Sequence, residues 1–229
     1  MAYSDFTLPT VVQRFSLTMG QPVDLYGVLP PAPIRPALAE MLDEQVPIAT
    51  AIHTEKARSE LIVAPILMEA WRLGDRQSSF FSGVPFDVSP QDGLVGICDF
   101  LLSRSPNQFI LGPPVLVVVE AKNDSIQGGL GQCVAEMVAA RIYNGRQADI
   151  STAPPPGVIH GVVTTGSLWR FLRLQGDRLE IDRVEYMLGS VGKILAILVD
   201  CLTGPAEQAL PSDPGIELVR PGVRTGDGL

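Results

Sequence analysis

The hydrophobic pattern is strongest at residues 115–119, where five apolar residues, Val-Leu-Val-Val-Val, form an unbroken run. A run that is apolar at successive positions is typical of a strand buried on both faces. Residues 114–122 are therefore predicted to form the central strand of a sheet. Two strands are predicted before it, at residues 79–88 and 94–103, with the turn sequence Ser-Pro-Gln-Asp-Gly between them.

Three more strands are predicted after the central one. Residues 157–164 have the β-branched composition of a strand, and residues 168–174 and 178–184 are predicted to pair as a hairpin across Gln-Gly-Asp. Apolar residues spaced by three or four positions predict helices at residues 129–144 and 189–202.

The clearest helical pattern covers residues 55–73, before the first predicted strand. Pro65 in its middle is expected to kink the helix or to split it into two pieces, and Gly74 is expected to end it. One apolar stripe runs along this segment, formed by Ala57, Leu61, Ala64, Met68 and Trp71.

These elements predict an α/β protein with a central mixed sheet flanked by helices, in the order α-β-β-β-α-β with an added C-terminal hairpin and helix. Residues 51–203 are predicted to form this domain. Residues 1–50 are predicted to be an N-terminal arm, with short helices at residues 10–19 and 37–44 around a proline-rich strap. Residues 204–229 contain four prolines and no periodicity, and are predicted to be a flexible tail.

The composition, 46% hydrophobic and 18% charged residues, is that of a compact globule. No apolar run reaches the roughly 20 residues that a membrane-spanning helix needs, and no secretory signal is visible at the N-terminus. Cys98, Cys133 and Cys201 are odd in number and widely spaced, which is typical of buried thiols in a reducing cytoplasm.

The net charge of −8 counts against indiscriminate nucleic-acid binding, which depends on basic surface, although a local cationic groove is compatible with an acidic whole. Fourteen of the 17 basic residues are arginine, so lysine is rare. The proline-rich strap and the apolar N-terminal helix carry more hydrophobic surface than a solvent-facing arm needs. We therefore expect a homodimer.

Charged residues break the hydrophobic pattern where the central strand ends. Glu120 and Lys122 are two positions apart, so in a strand they point to the same side, about 7 Å apart. Charged groups there are costly unless they are paired or bind a metal. Lysine is a compact cation with an adjustable pKa, unlike the planar and always charged arginine. A simple ion pair remains the alternative interpretation.

Three further polar residues are predicted to reach the same edge of the sheet. Asp99 interrupts the apolar face of the neighbouring strand, and with Glu120 it would supply the hard oxygen ligands that Mg²⁺ prefers. Glu60 lies at the margin of the apolar stripe of the first helix, and Gln132 lies in the first turn of the helix that follows Lys122. The alternatives are a structural buried acid for Asp99 and exposed helix side chains for the other two.

In order, helix-Glu, strand-Asp, strand-Glu-x-Lys and helix-Gln resembles the PD-(D/E)xK nuclease superfamily. Residues 55–67, Glu-Lys-Ala-Arg-Ser-Glu-Leu-Ile-Val-Ala-Pro-Ile-Leu, are similar to the opening helix of the nuclease domain at the N-terminus of type I restriction motor subunits. Residues 162–171 are similar to the last core strand and hairpin of that domain. The resemblance covers roughly residues 55–182. One departure is that Asp99 follows a cysteine and not a proline.

The resemblance implies a restriction-endonuclease-like core and a Mg²⁺-dependent nuclease that acts on DNA, in defence or repair, with Mn²⁺ as a possible substitute. It implies that Asp99, Glu120 and the Ala121 carbonyl hold the metal, helped by Glu60. Lys122 would orient or activate the attacking water, and Gln132 would position Lys122 or the phosphate. Two alternatives stay open, namely a nuclease-fold interaction or regulatory protein without cleavage activity and a metal-dependent hydrolase of another substrate.

Overall fold

The computed structural model describes residues 1–74, 76, 78–148 and 157–204. Apart from Gly204, the predicted tail lies outside the described residues. Its α-helices are α1 (Leu8–Arg14), α2 (Pro36–Ile52), α3 (Glu55–Arg58), α4 (Ala64–Leu73), α5 (Ile126–Ala148) and α6 (Val191–Thr203). Its strands are β1 (Thr18–Met19), β2 (Ser79–Pro85), β3 (Ile97–Ser103), β4 (Val115–Ala121), β5 (Val158–Thr164), β6 (Leu168–Gln175), β7 (Arg178–Ile181) and β8 (Tyr186–Met187). None of the helices in these ranges combines the length and the apolar character that crossing a membrane requires.

The strands form one mixed sheet in the order β1-β7-β6-β5-β4-β3-β2, and β8 pairs with the start of β6. β4 runs antiparallel to β3 and parallel to β5, and all seven of its residues are buried. An α/β protein with a mixed central sheet is thus confirmed, with the unbroken apolar run inside that sheet. The predicted C-terminal hairpin is present as β6 and β7, and α6 follows it.

Two helical layers cover the two faces of the sheet. α5 packs on one face, where Val118 of β4 meets Val134 and Val138 in one core cluster. α4 and α6 pack on the other face, against Val117 and Val119. A strand buried on both faces presents apolar side chains in both directions, which explains why the sequence of β4 does not alternate.

The predicted helix at residues 55–73 is split as its proline requires. α3 and α4 are joined by a wide π-helical turn, Ser59–Val63, and the backbone stays right-handed helical where this turn begins and ends. Pro65 is the second residue of α4 and has no N–H to donate. A π turn changes the direction in which the residues around it point, and this matters for the candidate site.

The N-terminal elements differ from the prediction. The helix predicted at residues 10–19 is α1, which begins after the capping residue Thr7 and ends at Arg14, while Thr18 and Met19 form β1, a strand parallel to β7. The helix predicted at residues 37–44 continues to Ile52 through Pro47. Local propensity did not reveal these boundaries, because β1 forms only when β7 is present to pair with it.

The N-terminal residues pack against α5. Tyr3, Phe6 and Val11 are buried in the core cluster of that face, and Gly131 of α5 gives them room. A Cβ atom at Gly131 would lie 2.2 Å from the Phe6 carbonyl oxygen, far inside any allowed contact. The apolar side chains of α1, on which the homodimer expectation partly rested, are therefore largely covered by the chain itself. Val28 in the proline-rich strap, the other basis of that expectation, is fully exposed.

We expect Gly131→Ala to destabilise the protein by about 2 kcal/mol, because the methyl group must displace backbone atoms of the N-terminal segment. Gly128→Ala is the matched control on the same helix, since a Cβ there meets no atom within 4 Å. The control should be neutral or up to about 1 kcal/mol stabilising, as alanine is the better helix former. Urea unfolding monitored by circular dichroism measures both, and equal effects of the two variants would contradict the packing.

Candidate active site

The first two candidate acids meet where β3 begins and β4 ends. Phe100 of β3 lies opposite Val119 of β4, so continuing this antiparallel register by one residue places Asp99 opposite Glu120. Residues directly opposite in such a pair share one face of the sheet. The Ala121 N–H also donates a hydrogen bond of 2.8 Å to Asp99 Oδ2. Asp99, Glu120 and Ala121 therefore lie together at one edge of the sheet.

Lys122 and Gln132 join this edge. The backbone N–H of Lys122 donates to the Thr164 carbonyl at 2.8 Å, which extends the parallel pairing with β5 by one residue. The Lys122 ammonium forms an ion pair with Glu120 Oε1. Gln132, reaching down from α5, donates from Nε2 to Glu120 Oε2 at 2.8 Å and accepts from Lys122 Nζ at 3.2 Å through Oε1. These three side chains form a closed hydrogen-bonded ring.

Burial dominates the electrostatics of this ring. Glu120 is only 1% exposed, and burial together with the Asp99 carboxylate raises the pKa of Glu120 to about 8. Burial also raises the pKa of Asp99, although the hydrogen bond from Ala121 opposes the rise. For Lys122, burial lowers the pKa, but the ion pair with Glu120 outweighs it and the net shift is upward. Near neutral pH the edge therefore holds a charged ammonium beside a Glu120 carboxyl group that still favours a proton or another cation.

Glu60 does not reach this edge. Its carboxylate binds Lys56 at 2.6 Å on the exposed side of the helix, and it lines a groove between α2 and α4 together with Met41 and Met68. In the described part of the chain, Lys56 is its one hydrogen-bonding partner. The placement of Glu60 in the site was thus an expectation that the geometry does not support.

Glu55, the first residue of α3, is the helix acid that lies near the site. Its charge raises the pKa values of Asp99, Glu120 and Lys122. Glu55 lies in α3, whereas Glu60 lies in the π-helical turn after it, where the direction of the side chains changes. Thr54 is the N-terminal capping residue of α3, and it marks Glu55 in the sequence as the first residue of the helix.

Contacts to the turn after β5 hold α3 in this place. Arg58, nearly buried, donates to the Thr165 carbonyl at 3.1 Å and to Ser167 Oγ at 3.2 Å. Gly166, between them, adopts a left-handed conformation with φ +78° and lies against Ile62, so that a Cβ there would be 3.3 Å from its terminal methyl group. Helix and turn are therefore fixed together beside the end of β4.

A second acid, Glu136, was not predicted to belong to the site. It lies one turn after Gln132 on α5, is completely buried, and accepts from Gln132 Nε2 at 3.1 Å. Burial and the proximity of Glu120 raise its pKa well above the ordinary value. The signal was a single acid inside the apolar helical stretch of residues 133–140, Cys-Val-Ala-Glu-Met-Val-Ala-Ala.

The residues of the edge fit a hydrated magnesium ion better than a fully caged one. Within the ranges that the structure describes, no group of three or more His, Cys, Asp or Glu side chains is arranged to hold a metal. Asp99 and Glu120 form a smaller set of two hard oxygen donors. Their pKa values are raised, and a nearby cation would lower them by stabilising the carboxylates. Mg²⁺ commonly binds through one or two carboxylates and keeps several waters.

Comparison with known proteins gives no assignment. The chain matches no known protein family, no curated protein and no solved structure. The resemblance to the PD-(D/E)xK superfamily therefore remains a hypothesis drawn from the residues, and the geometry of the site is what any function must be argued from.

The substitution Glu120→Gln tests the raised pKa of this buried carboxyl group, and the test does not depend on what the protein does. The folded-state pKa of about 8 lies above the ordinary value of 4.5, so this carboxyl group favours the folded protein below pH 4.5, and that contribution is lost as the pH rises toward 8. Glu120→Gln removes this dependence. Relative to the wild type, we expect the variant to gain on the order of 3 kcal/mol in unfolding free energy between pH 5 and pH 8.

Urea unfolding at a series of pH values, with EDTA present, measures this difference. Glu60→Gln is the control, because it makes the same chemical change at an exposed carboxylate of the same chain. A Glu120→Gln stability curve that stays parallel to that of the wild type would show that the buried carboxyl group carries no such penalty.

Proposed function

We propose that this protein is a Mg²⁺-dependent nuclease that hydrolyses phosphodiester bonds in DNA, working in the reducing cytoplasm in defence or repair. The observation that carries the proposal is the arrangement at the end of β4, where Glu120 lies opposite Asp99 and is bound by the ammonium of Lys122. The element order from α4 to β5, α-β-β-β-α-β, agrees with the restriction-endonuclease-like core that we propose for the fold.

Asp99, Glu120 and the Ala121 carbonyl would hold the magnesium ion. When bound, the ion supplies Lewis-acid stabilisation of the phosphate and lowers the pKa of a bound water. Mn²⁺ would bind to the same oxygen donors. Ala121 lies on β4 next to Glu120, and its N–H donates a hydrogen bond to the Asp99 carboxylate. This bond fixes the Asp99 carboxylate beside Glu120 before any ligand arrives.

Lys122 provides the positive charge that meets the phosphate. Its ammonium orients the attacking water and offsets the negative charge that develops on the phosphate oxygens. Gln132 and Glu120 hold the ammonium from two directions, so little reorganisation is needed when the substrate binds. Glu55 takes the part expected of Glu60, as the helix acid that acts on the site directly or through water.

The main alternative is an interaction or regulatory protein that keeps this edge without cleaving. The net charge of −8 favours it, because the protein as a whole repels a polyanion. The two functions differ in what the ring must do, since only a nuclease needs the Lys122 ammonium to act on a water and a phosphate. Activity assays on the ring residues therefore separate them.

We expect Lys122→Ala to lower DNA cleavage at least 100-fold, in line with the loss of one transition-state contact. Lys122→Arg should be similarly inactive, because the planar guanidinium cannot replace a compact ammonium in the ring. Asp99→Asn should also be inactive with Mg²⁺ and partly active with Mn²⁺. Initial rates on plasmid and on single-stranded DNA at low salt provide the measurement, with circular dichroism to verify the fold.

Lys56→Ala is the matched control, since this lysine is exposed and pairs with Glu60 outside the ring. Its cleavage rate should stay within about twofold of the wild type. Cleavage that survives Lys122→Ala would place the active site elsewhere. If the wild-type protein with Mg²⁺ or Mn²⁺ leaves DNA and RNA intact at low salt, the interaction protein becomes the better assignment.

The two acids of the first helix give a second test of the site. We expect Glu55→Gln to lower cleavage about tenfold or more, because it removes a charge that acts on the site. Glu60→Gln should leave the rate unchanged, because its carboxylate binds Lys56 away from the edge. The same rate assay decides, and the opposite ranking of the two variants would return Glu60 to the site.

A further inference from the structure

One amide group connects Lys122 to two carboxyl groups. Gln132 accepts from Lys122 through Oε1 and uses both hydrogens of Nε2, one toward Glu120 at 2.8 Å and one toward Glu136 at 3.1 Å. An ammonium only donates and a carboxylate accepts, so the orientation of the amide is determined by its three partners. The reverse orientation would set the amide N–H groups against the ammonium.

Glu136 is the member of this chain of contacts to which the proposed nuclease site gives no direct role. It is completely buried between α5 and the sheet, and its second oxygen, Oε2, has no hydrogen-bonding partner among the described residues. The Tyr3 hydroxyl and the thiols of Cys98 and Cys133 lie close enough for the charge of Glu136 to raise their pKa values. Its one hydrogen bond goes to Gln132, four residues earlier on the same helix. A pair at this spacing stabilises a helix only weakly, by less than the cost of burying an acid with an unpaired oxygen.

A purely structural residue at position 136 would be apolar, because an acid with one unpaired oxygen is an unfavourable core residue. What Glu136 supplies, and an apolar residue cannot, is an acceptor for the inward hydrogen of the Gln132 amide. Without that acceptor, one hydrogen of the amide would be buried without a partner. The amide would then be free to shift away from Lys122 and Glu120.

We propose that Glu136 is a positioning residue, which fixes the Gln132 amide so that its oxygen holds the Lys122 ammonium and its N–H holds Glu120. The effect on catalysis rests on the proposed nuclease function. The effect on Lys122 does not, and this allows the two to be tested separately.

The chain has three lysines, Lys56, Lys122 and Lys193, so selective ¹³C labelling of the lysine ε-carbons gives three signals. Lys122→Arg identifies the signal of the ring. We expect Glu136→Leu, which keeps the volume and removes the acceptor, to move the Lys122 signal toward that of the exposed Lys56. Glu136→Gln should restore the wild-type position, since its amide oxygen accepts the same hydrogen bond. If Glu136→Leu does not fold, Glu136→Met serves in its place.

Val138→Ala is the matched control for a core change on the same helix, because this residue is equally buried and faces the same cluster. It should leave the Lys122 signal in place. In the cleavage assay, we expect Glu136→Leu to lower kcat about tenfold or more with KM within about twofold, and Glu136→Gln to recover most of the loss.

The proposal is overturned if Glu136→Leu leaves both the Lys122 signal and kcat as in the wild type, or if Val138→Ala changes them equally. If the wild-type protein cleaves no nucleic acid, the nuclease assignment fails, and the position of the Lys122 signal still decides the role of Glu136.

Discussion

The carboxyl group of Glu120, 1% exposed at the end of a strand buried on both faces, is the constraint on which the site depends. An isolated buried charge is prohibitively costly, so it has to be paired, hydrogen-bonded or protonated. All three responses are visible around it. Lys122 pairs with it, Gln132 donates to it, and its pKa rises to about 8. The ends of β3 and β4 and the helix α5 supply the groups that surround it, namely Asp99, Lys122 and Gln132.

Local pattern was sufficient to predict the features that depend on local geometry. The unbroken apolar run at residues 115–119 predicted β4, and the two-residue spacing of Glu120 and Lys122 placed both charges on one side of its end, because side chains in a strand alternate. Asp99 was predictable for a related reason. It interrupts an apolar strand next in sequence to β4, and neighbouring strands in sequence tend to pair.

The errors arose where position depends on contacts that are distant in sequence. Glu60 was predicted from its position at the margin of the apolar stripe and from the resemblance. The direction of an acid on this helix depends, however, on the π turn and on the contacts of Arg58 with the turn after β5. Glu136 was not predicted, because the sequence of an apolar helix does not show which polar group an acid in it will contact. That contact depends on the fold, which places Gln132 between Glu120 and Glu136. β1 needed β7, some 160 residues away, before it was a strand at all.

The same packing bears on how the proposed nuclease, an acidic protein, would meet DNA. Several arginines are occupied by internal acids, since Arg35 and Arg72 bind Glu69, and Arg173 binds Glu180. Lys193 is occupied by backbone carbonyl groups of the proline-rich strap. With a net charge of −8, the chain offers a polyanion little long-range attraction, and Asp99 and Glu120 are themselves acids at the proposed site. Because the substrate's phosphate and these acids repel one another, a divalent ion would have to contribute to binding as well as to chemistry. Selectivity for DNA would then come from the shape of the edge and from the ion, and less from a basic surface.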